Sequence, residues 1–288
     1  MWKAAPFSAP EFPIAMRPFV AQKCRSIPML STQLRRLRPY GVAFLDLLYT
    51  RRCEGCEKAL SGERPGVAQW LCDPCLRDLP YVHPPYCNVC GETYETMPGD
   101  SFRCANCATL KLRFDFAVAA CHAEGLPREL IHRFKYERQI HLAGLLGTLL
   151  TRTLEDERLA ALPKDSWTLV PVPLHSVRLR EREFNQSWEL CKVMARRAGI
   201  PAVNALRRRK ATQTQASLSR RERIGNIRGA FTLRWRWPWL RKRPLLPTPN
   251  VLLVDDVLTT GSTSSECARI LRRRAGAQKV VVISVLRG

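Results

Sequence analysis

From Phe114 onward, short continuous apolar runs alternate with longer stretches whose apolar residues recur at helical spacing. Phe116-Ala-Val-Ala-Ala-Cys121 predicts a buried strand. Pro127 to Leu150 predicts a helix with Leu130, Ile131, Phe134, Leu142 and Leu145 on one side. Trp167-Thr-Leu-Val-Pro-Val-Pro173 reads as a strand running into a proline-bounded loop. Phe184 to Ala198 is again helical, and Ala202 to Leu206 is a candidate short strand. Asn250 to Val254 has the unbroken apolar character of a strand covered on both faces. Ser262 to Ala275 predicts a helix and Val280 to Leu286 a last strand. Strands alternating with helices in this way predict a parallel α/β sheet.

Upstream the pattern fades. Gly41 to Tyr49 could line one face of a short helix, but residues 53–107 are rich in Gly and Pro and lack periodicity. A metal, rather than an apolar core, would have to hold such a stretch together. Residues 1–40 are basic, proline-rich and aperiodic, as expected of a disordered extension. The expected organisation is therefore a tail over 1–40, a metal-bound region over 41–112 and an α/β domain over 113–288. Within the last, Arg207 to Gly229 reads as a polar, basic loop and Phe231 to Pro249 as a basic, aromatic, proline-broken insertion.

Composition narrows the class. In 288 residues, 45% are hydrophobic, enough for a folded globular protein. Lys and Arg total 47 against 25 acids, so the net charge is +22. That balance favours polyanionic partners, namely nucleic acid, phosphorylated ligands or an anionic surface; a solubilising surface is the plainer alternative. No apolar run reaches the roughly 18 residues that span a bilayer, and the expected location is the cytoplasm.

Eight of the twelve cysteines form four Cys-x-x-Cys pairs between residues 53 and 107. Cys53, Cys56, Cys72 and Cys75 make one quartet, and Cys87, Cys90, Cys104 and Cys107 the other. A two-residue spacer lets both thiolates of a knuckle face one metal, and two knuckles complete a tetrahedral four-sulfur site. Such a site has no open position, so two structural zinc ions are expected. An iron–sulfur cluster is the alternative, and His83 a spare ligand. The two quartets look like a duplicated unit. Cys24, Cys121, Cys191 and Cys267 fall outside the pattern and are expected to be small buried apolar residues.

The segment Val251-Leu-Leu-Val-Asp-Asp-Val-Leu-Thr-Thr-Gly-Ser-Thr263 carries the most specific chemistry. Asp255 and Asp256 follow the apolar strand directly, at the end of a parallel strand where α/β sheets bind ligands. Side by side, they can accept hydrogen bonds from vicinal ribose hydroxyls. Thr259, Thr260, Gly261, Ser262 and Thr263 then open a helix, and hydroxyls, backbone N–H groups and the helix N-terminus together cradle an anion. An ordinary strand–turn–helix with hydroxyl N-caps explains Thr and Ser but not the acid pair. All thirteen positions fit the phosphoribosyl-phosphate motif of type I phosphoribosyltransferases.

Other residues extend the likeness: Phe134-Lys135-Tyr136; Val170-Pro171-Val172-Pro173-Leu174; Arg182 with Phe184-Asn185-Gln186; Gln215, Arg223, Asn226 and Gly229-Ala230-Phe231. With the quartets and 251–263, they make about residues 41–288 resemble the ComF/GntX family. The resemblance implies a double zinc ribbon preceding a type I phosphoribosyltransferase-like α/β domain, and a link to uptake of transforming DNA. It implies that Pro171, Val172 and Pro173 face the pyrophosphate of phosphoribosyl pyrophosphate (PRPP), bound with magnesium, and that 207–229 forms a lid. Lys135, Arg178, Arg180, Arg182 and Arg223 become candidates to neutralise pyrophosphate, each also explicable as a solvated charge. One position departs: Glu183 stands where the family usually has Gly before Phe-Asn-Gln. Two functions compete. One is a phosphoribosyltransferase acting on a base or amine. The other is a DNA-uptake protein that handles single-stranded DNA, uses the ribose phosphate site as sensor or grip, and has a DNA-uptake helicase as candidate partner.

Overall fold

The apolar runs pair edge to edge. The computed structural model describes residues 51–95, 102–210, 227–234 and 245–288. Two short helices, α1 (Asp73–Arg77) and α2 (Ala105–Thr109), lie in the cysteine region. There follow β1 (Phe116–His122), α3 (Gly125–Tyr136), α4 (Ala143–Thr151), α5 (Glu157–Ala160) and β2 (Trp167–Pro171). Next come α6 (Ser176–Arg182), α7 (Gln186–Ala198), β3 (Leu206–Arg208) and β4 (Phe231–Leu233). The last elements are β5 (Asn250–Leu258), α8 (Ser262–Ala275) and β6 (Lys279–Arg287). Four strands form one sheet in the order β1-β6-β5-β2, every pairing parallel. The protein is thus α/β with a parallel sheet.

Both faces of that sheet are covered. On β5, Leu252 and Val254 point into a core shared with α3, α4 and α7, while Val251 and Leu253 point into a second core under α8, β3 and β4. All four are fully buried, which is why this strand reads as an unbroken apolar run. The outer edges are covered too. Pro80 O and the Val82 N–H pair with β1, and Pro201 O and the Val203 N–H pair with β2. Covering the edges removes free backbone that would otherwise template aggregation.

The two cysteine regions dock on different cores. Leu60, Trp70, Leu71 and Leu79 of the first join the α3–α4–α7 core. Val89 and Leu112, around the second, pack against the α8 core. Arg133 of α3 fixes the first knuckle by donating to the Glu54 carbonyl and carboxylate, each at 2.7 Å. Residues Thr50–Gly288 accordingly form one compact unit.

Several boundaries differ from expectation. The helix expected over 127–150 is two helices, interrupted where Arg138 takes a positive φ of 57°. The helix expected from Phe184 is preceded by α6, and Glu183, at φ 67°, separates the two. Ala202 makes only an isolated bridge to Leu169; the strand is Leu206–Arg208, paired antiparallel to β4. β5 runs through both aspartates to Leu258, because β6 continues to pair with it beyond the apolar stretch. Gly41 to Tyr49 and most of the 231–249 insertion lie outside the described residues.

At the α4–α7 crossing, a Cβ on Gly147 would lie 2.6 Å from Val193 Cβ. Overpacking of this kind costs about 1–3 kcal/mol, which matches or exceeds the gain of about 1 kcal/mol when Ala replaces Gly in a helix. Gly147→Ala is therefore expected to lower the unfolding free energy by up to about 2 kcal/mol in urea titration; a higher midpoint would contradict this close approach.

Candidate functional site

Each cysteine quartet converges. Within Cys53, Cys56, Cys72 and Cys75, and within Cys87, Cys90, Cys104 and Cys107, the sulfurs all lie within 4.8 Å of one another. Cys56 and Cys72 sulfurs are 3.5 Å apart, and Cys90 and Cys104 sulfurs 3.8 Å. A tetrahedral ZnS4 centre with bonds of ~2.3 Å needs edges of about 3.8 Å, so both sets fit zinc. His83 belongs to neither set and lines a cleft with Tyr81 and Tyr86.

The duplication is visible bond by bond. Cys72 N–H donates to Cys53 Sγ, and Cys104 N–H to Cys87 Sγ, both at 3.3 Å. Glu57 N–H bonds Cys53 O as Gly91 N–H bonds Cys87 O. Glu57 and Gly91 share the left-handed conformation at φ 61° and 67°. Gly55 serves a close approach: a Cβ there would meet Leu126 at 2.8 Å and Cys75 Sγ at 3.1 Å. In each quartet one thiol is drawn down while two others, Cys56 and Cys75 in the first and Cys104 and Cys107 in the second, are pushed up. A hydrogen bond from Cys107, against burial, and then the Glu92 backbone and Arg287 draw Cys90 down to about 4. Burial opposes ionisation of Cys53, but backbone N–H donors from Cys72 and its own knuckle outweigh it and bring the thiol to about 6. The rest of the coordination free energy must come from the metal.

The second cluster sits at the carboxyl end of the sheet. β5 carries Asp255 and Asp256 there, and α3 brings Lys135 Nζ to 2.9 Å from Asp256 Oδ1. Asp256 N–H donates to Asp255 Oδ1 at 2.9 Å. Asp255 keeps some accessible surface, yet burial first, and then the charge of Asp256, push its pKa up to about 7, against Lys135 and a Ser187 hydrogen bond. Pro171 is in register with Val254, so Pro171, Val172 and Pro173 run beside the acid pair, held by Val172 N–H to Val254 O and Asn185 Nδ2 to Val172 O.

After Leu258, Thr259 is exposed and Thr260 half-buried, and the Thr260 and Ser262 hydroxyls pair at 2.9 Å. Gly261 caps α8 at φ 72°, with the Phe114 ring 3.3 Å from where its Cβ would be. Ser262 is buried and Thr263 half-buried in the first turn. Among the described residues, the buried Ser264 Oγ, in the first turn of α8, and Gln186 Nε2, in the first turn of α7, lack a hydrogen-bond partner. Arg182 is buried, donates to Gln186 Oε1 at 3.3 Å and lies over the Tyr136 ring. Arg178 is half-buried and Arg180 exposed; Arg223 lies outside the described residues. Arg208 of β3, not singled out from sequence, shares this field: burial and then Arg178 lower its pKa, while Asp255 opposes them.

Residues 44–108 match the double zinc ribbon domain family. The chain is 31% identical over 237 residues to Competence protein F of Haemophilus influenzae, covering 82% of this chain and 96% of that protein. It is 31% identical over 225 residues to the DNA utilization protein YhgH of Escherichia coli strain K12, covering 72% and 92%. It is also 24% identical over 217 residues to Competence protein ComFC of Streptococcus pneumoniae, covering 70% and 87%.

The chain belongs to the ComF family.

In this ComF chain the departure at Glu183 has a simple geometry. Glu183 adopts the left-handed conformation that glycine takes most easily, at a cost of about 1–2 kcal/mol for a residue with a Cβ. Its carboxylate pairs at 2.5 Å with Arg138, itself at positive φ, but both side chains are more than half exposed and the pair is worth little. No helix among the described residues is long and apolar enough to cross a membrane.

Metal analysis of the reduced protein is expected to find two zinc ions per chain, falling to one in Cys90→Ser. Because the first ribbon shares its core with α3 and α4, chelation should lower the unfolding midpoint of the whole unit, followed by circular dichroism. Iron in the sites, or less than one zinc, would overturn the assignment.

Proposed function

We propose that this protein binds PRPP or ribose 5-phosphate at residues 255–263 and uses the site in DNA uptake, where it handles single-stranded DNA. The observation that carries the proposal is the acid pair at the end of β5, steadied by Lys135 and followed at once by the hydroxyl-rich turn into α8. In this reading Asp255 and Asp256 accept from the two ribose hydroxyls, and Thr259 to Thr263 surround the phosphate. Pro171, Val172 and Pro173 lie along the pyrophosphate, with Lys135, Arg182 and Arg223 as candidate cations and magnesium carried by PRPP. The partnerless Ser264 hydroxyl and Gln186 Nε2 are what a site built for a polar ligand leaves unsatisfied. The names of relatives matched over most of their length, Competence protein F and DNA utilization protein, support the role in DNA uptake. A DNA-uptake helicase is the partner this role suggests.

The second reading is an active phosphoribosyltransferase. The intact loop favours it, since displacement at the anomeric carbon needs a held ribose phosphate, clamped pyrophosphate and exclusion of water. Release of pyrophosphate from PRPP on addition of a base or amine separates this reading from a binding site alone.

Calorimetry with ribose 5-phosphate and PRPP, with magnesium, tests the site. Asp255→Asn should weaken sugar recognition while the phosphate still docks, and Thr263→Ala should cost about 1–2 kcal/mol. Gly261→Val should abolish binding, since it strains a left-handed residue and adds bulk against Phe114. Wild-type protein that binds neither ligand at millimolar concentration would remove the proposal.

Titration of Asp255 gives a pH signature. Its pKa of about 7 is above the usual carboxylate value, so the folded apoprotein holds an extra proton between about pH 4 and 7 and loses stability as pH rises through that window. Ligand binding needs the ionised acceptor and should tighten as pH rises through 7. Asp255→Asn should lack this step and retain only the titration of the phosphate itself; the same profile in both proteins would contradict the assignment.

For single-stranded DNA the motive is Arg234-Trp-Arg-Trp-Pro-Trp239 with Arg241, Lys242 and Arg243, of which all but Arg234 lie outside the described residues. Cations suit the backbone and indole faces suit bases, at about 1–3 kcal/mol per stacked base. Trp235→Ala with Trp237→Ala should weaken binding at moderate salt in a fluorescence titration; unchanged affinity would refute the stacking.

A further inference from the structure

We infer that Arg287 is a positioning residue through which the second zinc ribbon sets the shape of the phosphate loop, so that metal occupancy of that ribbon and ribose phosphate binding are thermodynamically coupled. The inference rests on the ribose phosphate reading of residues 255–263.

Arg287 ends β6 and is 6% exposed. A buried guanidinium is tolerated only where acceptors surround it. Those around Arg287 come from two parts of the chain that are far apart in sequence. On the ribbon side, Nε donates to Cys90 O at 3.1 Å, and Nη2 lies 3.8 Å from Cys90 Sγ and 3.4 Å from the Glu92 carboxylate. On the loop side, Nη1 donates to Leu258 O and Thr259 O, each at 3.1 Å, and to Gly288 O. One rigid, planar fork thus spans a zinc ligand and the two carbonyls where β5 turns into the phosphate loop. Lys, a point donor, cannot reproduce that span.

Two further contacts join the same parts. Phe114, on the segment leaving the second ribbon, packs against Gly261, and Arg113 N–H donates to Ser265 Oγ at 3.0 Å in the first turns of α8. The knuckle turn is itself pressed onto the sheet: a Cβ on Gly91 would lie 3.0 Å from Ala117 O. The first ribbon is anchored instead through Glu54 to Arg133 and through Trp70 against Gly144, in the opposite core. The two ribbons therefore differ in consequence. Zinc in the first holds the core together, while zinc in the second also shapes the turn that receives the phosphate.

Coupling of this kind is reciprocal, so the ligand must tighten the metal by the factor by which the metal tightens the ligand. The test is a zinc competition titration of the full chain against a chromophoric chelator, with and without saturating ribose 5-phosphate. Binding of the sugar phosphate is measured separately by calorimetry. In the wild type, ribose 5-phosphate is expected to tighten one of the two zinc sites at least fivefold and leave the other unchanged. In Arg287→Met and Arg287→Lys, the shift should vanish while ribose 5-phosphate affinity falls at least fivefold. Arg133→Met, which frees the first ribbon from α3, should keep the shift. Ribose 5-phosphate that binds the wild type without moving either zinc affinity overturns the role of Arg287 and leaves the site reading intact. Failure of ribose 5-phosphate to bind the wild type at all removes both. The wild-type titration decides even if a variant does not fold.

Discussion

Strand β5 is buried on both faces from Val251 to Val254, and that constraint decides where polar chemistry can go. Nothing along the strand can hold a charge until it leaves the two cores, so the carboxylates appear together at its carboxyl end. Two adjacent acids there repel one another, and Lys135 relieves only part of that repulsion by pairing with Asp256. Asp255 is left as the strained member, desolvated and beside a like charge, with its pKa lifted towards neutrality. In the proposed function a neutral polyol such as ribose suits this pair, because it donates hydrogen bonds without adding charge.

The same double-sided burial explains how a region with little core of its own joins the fold. Each ribbon spends its few apolar residues on a different face of the sheet. Trp70 and Leu71 go to one core, Val89 and Leu112 to the other. Neither ribbon could bury enough surface to fold alone, and four-sulfur coordination supplies what packing cannot. Although the two units share several hydrogen bonds around their sulfurs, their surroundings differ. Among the described residues, only the second reaches the turn between β5 and α8.

Charge distribution follows a similar division. Among the described residues, the cations whose charge reaches the acid pair are held in place, Lys135 by Asp256 and Arg208 over Phe231, and the buried Arg182 is likewise held by Gln186 and Tyr136. Several other basic side chains hold structure together, as Arg133 does at Glu54, Arg272 at Asp115 and Arg287 at its ring of carbonyls. A net charge of +22 is therefore not simply a surface field, since part of it is consumed inside the fold.

The elements whose residues carry their own period were legible in the sequence alone: the buried strands, α8 from Ser262 to Ala275, the two quartets, and the acid pair with its hydroxyl turn. In each, the information is local: spacing sets which side chains share a face or a metal. What was not legible depends on partners distant in the chain. The break at Arg138 and Glu183 has no local signature, because neither is a glycine and both take the left-handed conformation where α3 and α6 meet. The extension of β5 through its aspartates needed β6 as a partner. Ser187, Arg208 and Arg287 looked like ordinary polar residues in their own segments, and only tertiary packing turns them towards Asp255 and the turn into α8. Sequence by itself thus determined the chemistry available to this protein. The tertiary structure decided which charges face one another, because desolvation and pairing depend on what is packed in space and not on what is adjacent along the chain.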